Sequence, residues 1–144
     1  MDMGVSLYYT ARRGRELDER ERERVAEIVD EENRELLDRL NQRLPDWKDD
    51  GTVPSSITDA KEFCEGFGFY GDAGTERGVI LDGSSKVSHG QCGASVMFEQ
   101  LEYYMRSTLG RLRSALPDAE WDAHVDGHAL TWDEENSQYT FTPE

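Results

Sequence analysis

The sequence predicts an α+β fold in which two helices cover one face of an antiparallel sheet. Two long segments, 18–44 and 94–116, repeat apolar residues at three- and four-residue steps, which is the period of an amphipathic helix. Shorter segments alternate apolar with polar residues, and the Asp126-Gly127 dipeptide between two of them is typical of a tight hairpin. A length of 144 residues suits one domain, so we predict a single domain over residues 1–144.

The first strand and the first helix are predicted from alternation and from helix-start signals. In residues 5–10, Val, Leu and Tyr alternate with Ser, Tyr and Thr, as in a half-buried strand. Asp18 followed by Glu21 has the signature of a capping box that opens the helix. We expect this helix to end at Leu44, because Pro45 follows it. Its apolar stripe consists of Val25, Ile28, Val29, Leu36, Leu37, Leu40 and Leu44.

The middle of the chain is predicted to contain a loop, two strands and the second helix. Strands are expected over Phe63–Tyr70 and Gly78–Asp82, with a hairpin loop at Gly71–Gly74 between them. Residues 66–71 match G-x-G-x-x-G, but no helical pattern follows, so we interpret them as a kinked strand rather than a dinucleotide site. We expect the second helix to end at Pro117.

The C-terminal segment predicts a hairpin whose two faces differ in polarity. Pairing outward from the Asp126-Gly127 turn places Val125 opposite His128. One face then holds Trp121, Ala123, Val125, Leu130 and Trp132, and the other holds Asp122, His124, Thr131 and Asp133. Such segregation is typical of a sheet with one buried and one solvated face. A last strand over residues 138–142 is expected to extend the apolar face through Tyr139 and Phe141.

The predicted order of elements is β-α-β-β-α-β with one or two further C-terminal strands. This order resembles the ferredoxin-like fold, a two-layer sandwich with both helices on one face of an antiparallel sheet. The resemblance concerns architecture alone, because this plan hosts many unrelated functions.

The charge of the chain excludes some partners and leaves others open. With 31 acidic and 16 basic residues, the formal charge is −15 at pH 7. We expect neither nucleic acid nor a membrane as partner, because both attract clustered positive charge. The acidity has three interpretations: a solubilising surface, adaptation to high salt, or a patch that meets a basic protein. Residues 1–50 carry 10 basic and 15 acidic side chains and residues 51–144 carry 6 and 16, so the excess concentrates in the later region.

The cysteine content and the hydropathy predict a cytoplasmic protein. Cys64 and Cys92 are too few for a disulfide framework, and both are expected to be reduced. No stretch approaches the roughly 18 consecutive apolar residues of a membrane-spanning helix. No cofactor is expected, and the chain is predicted to be a monomer or a homodimer.

One short stretch, His89-Gly90-Gln91-Cys92, is a candidate for catalysis. It lies at the predicted start of the second helix, where unpaired amides and the helix dipole would lower the pKa of a thiol. His89, three residues upstream, could serve as the base for a Cys92 nucleophile. The structural alternative is a small buried cysteine that packs the helix start, with Ser88 or His89 as the N-cap.

Metal binding is not predicted from the sequence. Cys64, His89 and Cys92 lack the paired spacing that is typical of a zinc site. His124 and His128 fall on opposite faces of the predicted hairpin, so they cannot share one ion.

Two groups of residues are candidates for a partner or ligand surface. The first group consists of aromatic residues outside the predicted apolar stripes: Tyr8, Trp47, Phe69 and Tyr103. Large rings at such positions line interfaces and pocket walls, and scattered surface rings are the alternative interpretation. The second group lies on the solvated side of the C-terminal strands or in their turn: Asp122, His124, Asp126 and Asp133.

The sequence favours a non-enzymatic interaction module that meets a basic protein, because it contains no complete catalytic constellation and its acidity is uneven. Such a module would be an adaptor, an inhibitor or an immunity-type protein. The alternative is a small cysteine-dependent enzyme or ligand-sensing domain that uses Cys92 and His89. A third hypothesis is a domain without distinct chemistry, whose acidity reflects a saline environment.

Overall fold

The fold is a five-stranded antiparallel sheet with its helices packed against one face. The computed structural model describes residues 4–70 and 78–142. The strands are β1 (Ser6–Arg12), β2 (Val79–Lys86), β3 (Glu120–Val125), β4 (His128–Asp133) and β5 (Gln138–Phe141). Their order is β2-β1-β3-β4-β5, and each neighbouring pair is antiparallel. The predicted α+β class, with an antiparallel sheet and two helices, is confirmed.

The first helix, α1, spans Glu19–Asp49 and begins as predicted. The Glu21 amide donates to the Asp18 carboxylate at 2.8 Å, and the Asp18 amide donates to the Glu21 carboxylate at 3.0 Å. These two bonds complete the capping box and satisfy amides that the helix leaves unpaired. After α1, the chain forms a short 3₁₀ turn at Ala60–Glu62.

The predicted helix end at Leu44 is wrong, because α1 continues through Pro45 for another turn. An interior proline removes a backbone hydrogen bond and costs about 3 kcal/mol. The additional turn buries Trp47, which is 2% exposed and packs edge-on against Phe63. Truncating a buried aromatic ring costs about 3–5 kcal/mol, so burial of Trp47 is large enough to offset the cost of the proline.

The second helix is one continuous segment with an irregular centre. It consists of α2 (Ala94–Tyr103), a π-helical turn (Tyr104–Thr108) and α3 (Leu109–Ala115), and it ends before Pro117 as predicted. Single π-helical turns inside α-helices are rare and frequently mark functional sites. In the described part of the chain, no helix is long and apolar enough to cross a lipid bilayer.

The strand predicted over Phe63–Tyr70 is wrong, because this segment is irregular. Among the residues that the structure describes, its one backbone hydrogen bond to a strand joins the Tyr70 amide to the Asp82 carbonyl oxygen of β2 at 2.8 Å, and the backbone groups of Phe67 and Gly68 bond to side chains instead. The Asn33 side-chain amide bonds both backbone groups of Phe67, at 2.8 and 2.9 Å. The Tyr9 hydroxyl bonds both backbone groups of Gly68, at 2.7 and 3.2 Å. These long-range side-chain bonds replace the ladder that the sequence pattern suggested.

Glycines let this irregular segment pass close to the sheet. Gly66 has a φ of +88°, and a Cβ on Gly83 of β2 would lie 2.3 Å from the Gly68 carbonyl oxygen. The predicted loop at Gly71–Gly74 lies outside the described residues. Because no strand forms over Phe63–Tyr70, the ferredoxin-like topology is not confirmed.

The central strand β1 separates a buried face of the sheet from an open one. Leu7, Tyr9 and Ala11 are at most 1% exposed, whereas Tyr8 between them is 37% exposed. This alternation confirms the predicted first strand. The other strands contribute Val79, Ile80, Leu81, Ser85, Ala123, Val125, Leu130 and Tyr139 to the buried residues. We call the opposite side the open face; its centre consists of Tyr8, Thr10, Asp82, Ser84, Asp122 and His124.

The C-terminal hairpin has the predicted turn and pairing. Val125 lies opposite His128, and Asp126 in the turn has a φ of +49°. The expectation for Phe141 is only partly met, because its side chain is 51% exposed. Phe141 lies at the end of β5, an edge strand of the described sheet, so fewer neighbours are available to cover it.

Candidate functional site

The open face carries an aromatic stack at its centre. Tyr8 of β1 lies opposite His124 of β3, and their rings stack with centroids 4.9 Å apart and planes 13° apart. β1 has a neighbouring strand on each side, so the 37% exposure of Tyr8 results from the uncovered face and not from a sheet edge. A large exposed ring that is already held in place is a preformed contact for a partner.

A hydrogen bond fixes the His124 ring in this stack. Its Nδ1 lies 2.6 Å from the carbonyl oxygen of Asp126. A carbonyl oxygen only accepts hydrogen bonds, so Nδ1 carries the proton and donates it. The Asp126 carboxylate accepts from the Ser6 amide at 3.3 Å, which ties the hairpin turn back to β1. The orientation of the ring is therefore set within the chain.

Two carboxylates lie beside the stack, on the strands that flank Thr10, which is two residues after Tyr8 in β1. Thr10 lies opposite Asp82 of β2 on one side and opposite Asp122 of β3 on the other. Adjacent strands are about 4.8 Å apart, so the two backbone positions are about 10 Å apart across the sheet. The Thr10 hydroxyl donates to the Asp82 carboxylate at 3.1 Å, and Asp122 is exposed. The sequence prediction included Asp122 and missed Asp82. The alternation of buried and half-buried residues along β2 would have placed Asp82 on the open face.

Two cations lie towards the ends of the open face, Arg12 on β1 and Lys86 on β2. Each of them is already engaged in an interaction within the chain. The acidic residues at the centre of the open face are Asp82 and Asp122.

The predicted surface residues of the hairpin do not all lie at this centre. The structure brings Tyr8, Asp122 and His124 together, and Asp126 adjoins them through its bond to His124. Asp133 lies at the far end of β4, where its carboxylate accepts from the backbone amides of residues 135 and 136. Asp133 therefore stabilises the β4–β5 turn and is separate from the aromatic stack.

Two of the aromatic candidates are core residues. Trp47 is 2% exposed and Tyr103 is 5% exposed, so neither presents a ring to solvent. Tyr103 is covered by the Arg39 guanidinium, 5.1 Å from the ring centroid, and its hydroxyl donates to a buried carboxylate. Phe69 is half-buried, with its ring edge-on to Tyr9 at 5.6 Å. Contacts with residues distant in the sequence thus bury Trp47 and Tyr103 and half-bury Phe69. Sequence spacing does not reveal such contacts.

The structure brings Cys92 and His89 together without lowering the pKa of the thiol. Sγ of Cys92 lies 4.0 Å from Nδ1 of His89. The helix begins at Ala94 with Gly93 as its N-cap, so neither Ser88 nor His89 caps it. Burial raises the pKa of the Cys92 thiol, whereas a nucleophilic cysteine needs the opposite shift.

Burial also raises the pKa of the Cys64 thiol, and both cysteines are free. Over residues 4–70 and 78–142, no group of three or more His, Cys, Asp or Glu side chains is placed to hold a metal ion. The register of the hairpin places His124 opposite Ala129 and His128 opposite Val125, so the two histidines lie on opposite faces.

The sequence prediction missed a buried carboxylate, Glu32, in the helix layer. Glu32 of α1 is 2% exposed. It accepts hydrogen bonds from Tyr103 at 3.2 Å, Ser107 at 2.6 Å, Thr108 at 3.0 Å and Arg111 at 3.2 Å. All four donors belong to the second helix, and together they compensate the charge that burial removes from water.

A signal for Glu32 was present in the apolar stripe of α1. Glu32 lies four residues after Ile28 and four before Leu36, both of which are at most 1% exposed. A carboxylate on a buried stripe requires partners, because acidic residues are almost never fully buried unpaired. Ser107 and Thr108 are consecutive residues of the π-helical turn and donate to the same Glu32 oxygen, so this irregular turn coincides with the buried charge.

Comparison of the chain with protein-family models, with curated proteins and with solved structures gives no match. Each candidate site is therefore judged from its own geometry. The open face presents preformed aromatic and carboxylate groups to solvent, whereas Glu32 is buried among partners within the chain.

We expect Glu32→Ala to lower the free energy of unfolding by about 2–5 kcal/mol, because the buried hydroxyl groups of Tyr103 and Thr108 then lose their acceptor. Urea unfolding followed by circular dichroism measures this change. Glu23→Ala on the exposed side of α1 is the control and should change stability by about 0.5 kcal/mol or less. Equal effects of the two substitutions would contradict a structural role for Glu32.

We expect Cys92 to react with iodoacetamide no faster than a model thiol peptide at neutral pH, because burial raises the pKa of its thiol. A Cys64→Ala variant leaves Cys92 as the only thiol, and mass spectrometry follows its alkylation. Adding His89→Ala should leave this rate unchanged. A rate well above that of the model thiol, reduced by His89→Ala, would support the cysteine-dependent enzyme instead.

Proposed function

We propose that the protein is a non-enzymatic interaction module that binds a basic protein on its open face. The observation that carries this proposal is the exposed Tyr8–His124 stack at the centre of the sheet. Aromatic residues in the middle of an interface supply a large part of the binding energy. Adaptor, inhibitor and immunity-type proteins all correspond to this description.

Arginine is the partner residue that suits this surface best. A guanidinium group stacks on aromatic rings and forms forked hydrogen bonds with carboxylates. Tyr8 and His124 supply the rings, and Asp82 and Asp122 supply carboxylates on the neighbouring positions of the same face. An arginine-rich segment of a partner can therefore use both kinds of contact at once.

The organisation of the open face also favours binding at low entropic cost. The Tyr8 side chain is already stacked, and the His124 ring is held by the Asp126 carbonyl oxygen, so neither must be ordered by the partner. The formal charge of −15 attracts a basic protein over longer distances, so the association rate should fall as ionic strength rises.

We further propose a cytoplasmic location, on the basis of the two free cysteines. The proposed oligomeric state is a monomer or a homodimer, with the open face available to the partner. A basic segment would then reach the stack without displacing any helix or strand within residues 4–70 and 78–142.

The second candidate function is a small cysteine-dependent enzyme or ligand-sensing domain. The contact that favours it is the 4.0 Å approach of Cys92 Sγ to His89 Nδ1. The raised pKa of the Cys92 thiol weighs against it, because fewer thiolates are then present at neutral pH. The alkylation experiment described above separates this candidate from the interaction module.

We expect Tyr8→Ala to weaken binding of a fluorescein-labelled oligo-arginine peptide about tenfold, because the stack loses its exposed ring. Phe98→Ala is the matched control, since Phe98 is a 48% exposed ring on α2 and lies away from the sheet. Fluorescence anisotropy at low ionic strength measures both affinities. An equal, small effect of the two substitutions would mean that the peptide binds by charge alone and would overturn the proposal.

A second pair of variants separates the contribution of these two carboxylates to peptide binding from the effect of the overall negative charge. Asp82→Asn with Asp122→Asn should weaken the same peptide about fivefold, as expected for two partly exposed ion pairs. Glu23→Gln with Asp38→Asn removes the same charge from exposed positions of α1 and should have a smaller effect. Equal losses in the two double variants would contradict a localised acidic site.

A further inference from the structure

A pocket beside the π-helical turn gathers arginine in an otherwise acidic chain. It has a volume of about 550 Å³ and lies where α1, the second helix and the β4–β5 turn meet. Its polar lining consists of Arg24, Arg106, Arg111, Ser107, Ser114 and Ser137. Among the described residues that line it, none is acidic, although the chain has 31 acidic and 16 basic residues. Three guanidinium groups around one pocket favour an anionic ligand.

Arg111 is fixed in the pocket wall within the chain. Its guanidinium donates to the buried Glu32 at 3.2 Å and to Glu31 at 2.9 Å. The bond to Arg111 lowers the pKa of the Glu31 carboxyl, so this partner stays ionised at neutral pH. A guanidinium group has five N–H donors, and these two bonds do not exhaust them. An arginine that is already positioned loses little conformational freedom when a ligand binds.

The other two arginines take part in weak, exposed ion pairs. Arg24 contacts Glu27 at 3.1 Å, and Arg106 contacts Glu102 at 3.9 Å. The four side chains are between 49% and 62% exposed. Exposed pairs of this kind contribute about 0–1 kcal/mol, so an anion in the pocket can replace either glutamate at little cost.

Gly110 allows the β4–β5 turn to complete the pocket. A Cβ at Gly110 would lie 2.9 Å from the Ser137 carbonyl oxygen, so a side chain here would push the turn away from the second helix. Ser137 has a φ of +51°, in the left-handed region that non-glycine residues seldom adopt. Ser137 and Ser114 also belong to the lining, and the Ser107 hydroxyl group donates to Glu32.

We propose that this pocket binds the phosphate group of a small phosphomonoester. Such a group carries a charge of about −1.5 to −2 at neutral pH and has three acceptor oxygens, which suit several guanidinium donors. A carboxylate has one charge and two oxygens, so it offers fewer acceptors to the same guanidinium donors. The volume lies within the range of about 300–1,000 Å³ for small-molecule sites, so the pocket has room for an organic group beside the phosphate.

Isothermal titration calorimetry of the full chain, in chloride buffer at low ionic strength, tests the proposal. The probes are phenyl phosphate, inorganic phosphate and benzoate. We expect saturable binding of phenyl phosphate, weakened at least about tenfold by Arg24→Gln with Arg106→Gln. Arg22→Gln with Arg34→Gln makes the same charge change at exposed positions of α1 and should alter the affinity about twofold or less. Circular dichroism melts of both double variants verify that they remain folded.

The three probes distinguish a phosphate ester from free phosphate and from a carboxylate. Tighter binding of phenyl phosphate than of inorganic phosphate supports the ester. Inorganic phosphate that binds equally well would overturn the ester assignment, and benzoate that binds as tightly as phenyl phosphate would overturn phosphate selectivity. No saturable binding, or equal losses in the two double variants, would overturn the pocket as the site.

Discussion

The helix layer of this protein is organised around one buried charge. Glu32 lies on the apolar stripe of α1, where a lone carboxylate would lose its hydration without compensation. The second helix compensates it through Tyr103, Ser107, Thr108 and Arg111. These donors span about two helical turns, so they fix both the position and the rotation of the second helix against α1. The two helices can therefore cover the sheet as one layer. The bond between Arg111 and Glu32 also holds Arg111 in the wall of the pocket beside the π-helical turn.

A sheet that is covered on one face leaves the other to solvent, and neighbouring residues of β1 illustrate the consequence. Tyr9 points into the core, where its hydroxyl bonds to Ser85 and Gly68 and burial raises its pKa to about 12. Tyr8, one position earlier, lies on the open face and stacks on His124. The same residue type is thus a core residue at one position and a candidate contact at the next, because strand geometry alternates the two faces.

Periodic patterns predicted the first strand, the start of α1, the second helix and the C-terminal turn, because residues close in sequence define these elements. The segment over residues 63–70 was not predictable in this way, since its backbone bonds to Asn33, 34 residues away. Trp47 lies beyond the predicted helix end at Leu44, and its burial depends on a ring contact with Phe63 that local composition does not encode. For the site, alternation predicted that Tyr8 and His124 lie on the solvated side. Their stacking follows from the pairing of β1 with β3, which is a long-range contact.

Recognition by the open face, rather than by the acidic surface as a whole, is tested most directly by NMR amide chemical-shift mapping. The full chain is titrated with an oligo-arginine peptide, and the shift of each assigned amide is followed to saturation. We predict that the largest changes occur at Tyr8, Thr10 and His124, with small changes along the exposed side of α1. Changes of equal size at Glu23 and Asp38, or a uniform shift at all acidic positions, would contradict a localised binding surface.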